Sequence, residues 1–264
     1  MNKRIARNVL VNSSVSRVVS ALLTTIIHEF GHFSVSLALG NSTTLYHNRV
    51  STHGENPDFV NQLLIPMGGP LISLLQGIIC MLLFKKIKNG IISLLVLWLG
   101  ISGLMAFFGY MMIAPLAKEG DTGKIFELLE LPLLYQFIIA LLSLLIFTFM
   151  LLFFHRDFQN FIPEDVNDDK LKRVKWARLL IMYPVLIGIV ITSILTFPMV
   201  VFLSLLPSIM MPFMLFMIYG RMVNSNDKIE KEQNKDITEL SLALIIILIL
   251  AIVLNRVLAS GITL

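Results

Sequence analysis

The sequence predicts an all-α fold, a polytopic bundle of transmembrane helices, on three observations. Hydrophobic residues make up 56% of the 264 positions and charged residues only 14%, and the mean hydropathy is +0.82, far outside soluble globular usage. The apolar residues are gathered into runs of about 20, the length a helix needs to cross a hydrocarbon core of about 30 Å. Lys and Arg collect on one side when the loops between the runs are assigned alternately to the two faces of the membrane.

The runs fall at about residues 15–39, 61–84, 91–114, 132–154, 179–197, 200–220 and 240–259. The fifth and sixth form one apolar stretch, but Pro198, Pro207 and Pro212 argue against a single straight helix. A hairpin at Thr196 to Pro198 gives seven spans, and a merged stretch gives six. Of the 21 Lys and Arg, all but Arg49, Lys118, Lys124 and Arg256 lie on one side, with Arg17 counted as a flanking charge of the first span. That bias puts the N-terminus in the cytoplasm, and a bacterial plasma membrane is the expected home. The net charge of +4 therefore reports topology. Nucleic acid is not an expected partner, because the basic residues are scattered over juxtamembrane loops without interleaved aromatics.

Met1 to Asn8 and the first run have the basic start and apolar core of a secretory signal, but no small-x-small site stands between that apolar core and residue 28, so the run is expected to stay as a span. The single Cys80 excludes an intrachain disulfide framework and reads as a packing residue.

Chemistry enters with His28-Glu29-Phe30-Gly31-His32 inside the first run. Positions i and i+4 of a helix stand one above the other, so two imidazoles at 28 and 32 can hold one Zn²⁺ while Glu29 reaches its water as general base. Ala21, Thr24, Thr25, His28, His32 and Ser36 follow i, i+3, i+4 steps, a small and polar face expected to look into the protein rather than into lipid. Ionisable residues at mid-bilayer are costly to insert, which favours a functional reading over two merely hydrogen-bonded histidines.

Catalytic zinc takes three protein ligands and keeps a position for water, so a third ligand is needed. His47, His53, Glu55 and Asp58 lie in the polar segment Gly40 to Val60, which reads as a solvated loop. Glu55 would imitate a downstream zincin ligand, but Pro57 argues against a continuing helix there. Asp121 follows the third run in Pro115-Leu116-Ala117-Lys118-Glu119-Gly120-Asp121-Thr122-Gly123, where Pro and Gly end the helix and let a carboxylate turn back toward the metal. Glu119 is its nearest rival.

With these residues the chain resembles the site-2 protease family of intramembrane zinc metalloproteases. His28, Glu29 and His32 match the family's first element. Gly68-Gly69-Pro70 resembles the Gly-Pro turn that often follows, and Pro115 with Asp121 resembles the Pro-containing stretch that carries an aspartate ligand. Here Thr122 follows that aspartate where the family has Gly, and Gly109 and Tyr110 stand in the region that often opens with Asn. The likeness spans about residues 20–124. It implies a three-helix zinc metalloprotease core in residues 1–124, with further transmembrane helices and cytoplasmic loops in 125–264. It also implies Glu29 as the catalytic base, His28, His32 and Asp121 as ligands of Zn²⁺, and transmembrane protein or peptide segments as substrates within the lipid bilayer. In that family the motif helix enters the membrane from the opposite side to the one the charge count gives here. Two alternatives stand beside it: another membrane-bound zincin acting near the surface, with Glu55 or Glu119 as third ligand, and a transporter or scaffold that kept a metal site. No oligomeric state is readable.

Overall fold

A computed structural model describes residues 2–53, 58–163, 166, 169–198, 205–224 and 235–264. The chain is mostly helical. In order, the helices are α1 (Lys3–Ala38), α2 (Phe59–Phe84), α3 (Gly90–Ile113), the short α4 (Asp121–Leu128) and α5 (Leu133–Gln159). After them come α6 (Lys170–Leu195), with a π-helical turn at Arg178–Met182, then α7 (Leu205–Phe213), α8 (Phe216–Asn224) and α9 (Leu242–Leu258). Side-chain acceptors start several of them: the carboxylate of Asp58 and the amide oxygen of Asn89 accept from the backbone N–H groups of Asn61 and Ile92, at 2.8 and 3.1 Å. These contacts satisfy donors that a helix start leaves unpaired.

Five helices, α1, α2, α3, α5 and α6, are long and apolar enough to cross a membrane. The expected sixth span is described only from Leu205, as α7 and α8 parted at Met214 and Leu215 just after Pro212, where the proline ring removes a backbone donor. The expected seventh is the 17-residue α9. The first helix begins at Lys3, well before the expected residue 15. Its added turns carry Asn8, Asn12 and Ser13, which hydropathy reads as a flank but which are buried. Asn12 donates to the carbonyls of Ile237 and Glu239 at 3.0 and 2.6 Å, and Ser13 donates to that of Leu180 at 2.6 Å.

The expectation of a purely helical fold with a solvated loop from Gly40 to Val60 is corrected. Ser42–Leu45 (β1) and Val50–His53 (β2) form an antiparallel hairpin in which Thr43 faces Thr52. On its other side β1 pairs with Ile262–Thr263 (β3), giving the order β2-β1-β3. Thr and Val suit a pleated surface, and His47, just beyond β1, is buried with its Nε2 3.1 Å from the Thr196 carbonyl oxygen. His53 and Asp58 are exposed. Glu55 lies outside the described residues.

The apolar core centres on Trp98, Phe147, Phe158 and Leu180, contributed by α3, α5 and α6. At one end of this core Lys235 reaches inward, its Nζ donating to the Phe84 carbonyl at 2.9 Å and to Ser93 Oγ at 2.6 Å, above the Phe84 ring. That contact satisfies a carbonyl at the last turn of α2. Helices α1, α2 and α3 pack against one another through glycines. A Cβ on Gly68 would stand 2.6 Å from the Gly31 carbonyl oxygen, and one on Gly103 would stand 2.7 Å from that of Ser73. Such contacts let backbones approach as closely as membrane helices require when no hydrophobic force drives them together.

Candidate metal centre

The centre forms where α1 crosses α2 and the α3–α4 connection folds back over both. His28 and His32 stand one turn apart on α1, with 3.1 Å between their Nε2 atoms. Asp121 Oδ2 lies 3.0 Å from His28 Nε2 and 3.2 Å from His32 Nε2. The structure thus brings together three of the expected site residues, and among the described residues this is a group able to hold a metal ion. Both histidines are almost wholly buried, and the Asp121 side chain is 22% exposed.

The second nitrogen of each imidazole fixes which atom faces the centre. His32 Nδ1 lies 2.7 Å from the carbonyl oxygen of Ile65. A carbonyl only accepts, so Nδ1 carries the proton and Nε2 presents a lone pair. His28 Nδ1 is 3.0 Å from Ser73 Oγ, a hydroxyl that can accept its proton when Nε2 faces a metal. These are the outer contacts that orient metal-binding imidazoles. Tyr110 completes the wall, its ring stacked on His28 with centroids 4.5 Å apart and planes 9° from parallel.

Asp121 is aimed by backbone rather than by packing. Helix α3 ends at Ile113, and the chain turns through Pro115 to Gly120, the residue before α4. Asp121 is the first residue of α4, where unpaired N–H groups favour a negative charge. Burial opposes its ionisation; a proton held between it and His28 or His32, in the place a cation would take, outweighs that and holds its carboxyl well below the usual carboxylate range.

Three donors around zinc at about 2.0–2.1 Å in tetrahedral directions stand roughly 3.3 Å apart. The observed edges of 3.0, 3.1 and 3.2 Å are within a few tenths of an ångström of that figure. Two lone-pair nitrogens and a carboxylate at such separation repel unless a cation, or a proton in its place, sits among them. The donor set fits a divalent transition metal with a position left for water.

Gly68-Gly69-Pro70 does not form the expected turn. All three residues lie inside α2, which runs unbroken through Pro66 and Pro70. Their use is steric: a Cβ on Gly69 would lie 2.6 Å from His28 Nε2, so the absence of a side chain at 69 leaves room for the ligands. Glu29 is 7% exposed and lines a cavity of about 800 Å³ together with His32, Asp121 and Tyr110. Glu119 also lines it but is exposed and is not part of the three-residue group. Sequence reasoning missed Ser73, the Ile65 carbonyl and Tyr110. Only Tyr110, noted for standing where another residue was expected, carried any signal. Comparison of the chain with models of protein families, with curated proteins and with solved structures finds no match.

Proposed function

We propose that the protein is an intramembrane zinc endopeptidase of the site-2 type, hydrolysing peptide bonds in or near transmembrane segments. The observation that supports it most is the convergence of His28 Nε2, His32 Nε2 and Asp121 Oδ2 to within 3.2 Å of one another, beside the cavity-lining Glu29 and between helices long enough to cross a membrane. Zinc, when bound, supplies a water of near-neutral pKa and polarises the scissile carbonyl. Glu29 would serve as the general base, its carboxylate accepting a proton from the attacking water and returning it to the leaving nitrogen. Ser73 and the Ile65 carbonyl keep both imidazoles turned so that neither Nε2 carries a proton into the site. A substrate helix must unwind to expose a peptide bond, because its backbone is otherwise hydrogen-bonded within itself.

The reading is tested with full-length protein in detergent and a model transmembrane segment. About one zinc per chain, cleavage abolished by a chelator and restored by equimolar zinc, is the expected result. A zinc-loaded protein that leaves every such segment intact would return the site to the transporter or scaffold reading.

The charge distribution along the chain leads us to propose further that α7–α8 and α9 also cross, making seven spans, with the N-terminus in the cytoplasm of a bacterial cell. A cysteine introduced at Lys3 in a Cys80→Ser background is then labelled by a membrane-impermeant maleimide only after the cells are opened. Labelling of intact cells would reverse the orientation.

A further inference from the structure

Arg17 has a place that the charge count did not give it. Because α1 starts at Lys3, Arg17 lies four turns inside a helix rather than at its edge, and it is 2% exposed. Its Nε and Nη1 are buried without a hydrogen-bond partner, and no ion pair includes it among the described residues. Two of its neighbours, Trp98 and Gly188, offer it no charge. The guanidinium carbon stands 5.8 Å from the centre of the Trp98 ring, and the stem passes Gly188, where an added Cβ would be 3.0 Å from Arg17 Cγ. Orphaned buried donors are rare in folded proteins and call for a partner that the described residues do not supply. A charged residue inside a transmembrane helix is by default a functional position.

The partner has a route. Arg17 lines the same cavity of about 800 Å³ as Glu29, His32 and Asp121. Twelve positions separate Arg17 from Glu29 on α1, which at a helical rise of 1.5 Å per residue is about 18 Å. An extended peptide covers that distance in about five residues at 3.3–3.6 Å each. The planar guanidinium fork matches a carboxylate through two parallel N–H···O bonds, and one buried cation balances one such anion.

We propose that Arg17 anchors a carboxylate of the bound peptide, either an acidic side chain or a free C-terminus, about five residues from the bond held over the metal centre. The identity of the ligand as a peptide rests on the protease reading; the need of Arg17 for an anion does not. Arg17 is a specificity residue here and takes no part in the chemistry.

The test is a binding series on full-length Glu29→Gln, so that no peptide is consumed. The probes are one model transmembrane segment with a single Asp walked along it, the Asn counterpart at each position, and an Asp-free segment with a free or an amidated C-terminus. One Asp register, or the free C-terminus, is expected to bind about 10- to 100-fold tighter than its neutral counterpart. That advantage should vanish in Glu29→Gln/Arg17→Met and survive in part in Glu29→Gln/Arg17→Lys. Thermal unfolding of the Arg17→Met protein is expected at an unchanged or higher temperature, because an apolar side chain replaces an unpaired buried charge. Destabilisation would instead assign Arg17 a structural role and overturn the inference. So would a flat Asp profile, or a preference that persists in Arg17→Met. Cleavage by wild type without any Asp or C-terminal preference removes this subsite and leaves the protease reading standing. Arg17-dependent binding with no cleavage by wild type does the reverse.

Discussion

Replacing Glu29 by Gln is expected to leave about one zinc per chain and to lower the rate of cleavage by about 10²- to 10⁴-fold, the usual contribution of a positioned general base. The amide has the shape of the carboxylate and no basicity, so the change isolates proton transfer from packing. Glu29 is buried and lines the cavity beside His32 and Asp121, yet it is not among the three residues whose ligand atoms converge. Zinc content by elemental analysis, thermal unfolding and product formation are measured on the same preparation. Loss of zinc along with activity would make Glu29 a ligand. Full activity with zinc retained would remove it from the chemistry.

The second large effect is expected at Asp121. Alanine there removes one of three donors, and zinc affinity should fall by more than about 100-fold, since loss even of an outer contact to a metal ligand commonly costs 10- to 100-fold. Cleavage should be lost with the metal. Alanine at Glu119, two residues earlier and exposed, should leave zinc binding unchanged, and this pair of results separates the two carboxylates that the sequence offered as ligands. Competition titration with a chromophoric chelator reads both. Retention of wild-type affinity in Asp121→Ala would break the assignment. Affinity in the wild type should also fall as pH drops, because protons compete with the metal for both imidazoles and the carboxylate.

Much of this architecture can be read from the chain, and the parts that cannot have physical reasons. The spans that became α2, α3 and α5 are uniform apolar runs, and their limits follow from hydropathy together with the Asp58 and Asn89 caps. The pairing of His28 and His32 follows from helical periodicity alone. Asp121 is harder, because its approach depends on a turn of backbone between two helices, and a Pro- and Gly-containing stretch says only that such a turn is allowed. The length of α1 was hidden because its buried asparagines and serines bond to the carbonyls of Leu180, Ile237 and Glu239, partners distant in sequence. For the same reason Arg17 read as a flank. Gly69 was noticed, but as a helix breaker. The need there is space beside two imidazoles, and no local propensity carries that information. The hairpin of β1 and β2 gains a third strand from residues near 263, so its short polar segments look like loop until the distant partner is known.

That third strand sets an order of events. Thr44 Oγ1 lies 2.7 Å from Thr263 Oγ1, across 219 positions of sequence, and Thr52 and Val50 of the same sheet line the cavity beside His32 and Asp121. During synthesis α1 and the hairpin leave the ribosome long before Ile262 and Thr263 do. One edge of the sheet beside the site therefore stays open until α9 has been made and placed. Until then His28, His32 and Asp121 stand beside an unfinished wall, and the finished cavity depends on residues as far along the chain as Thr263.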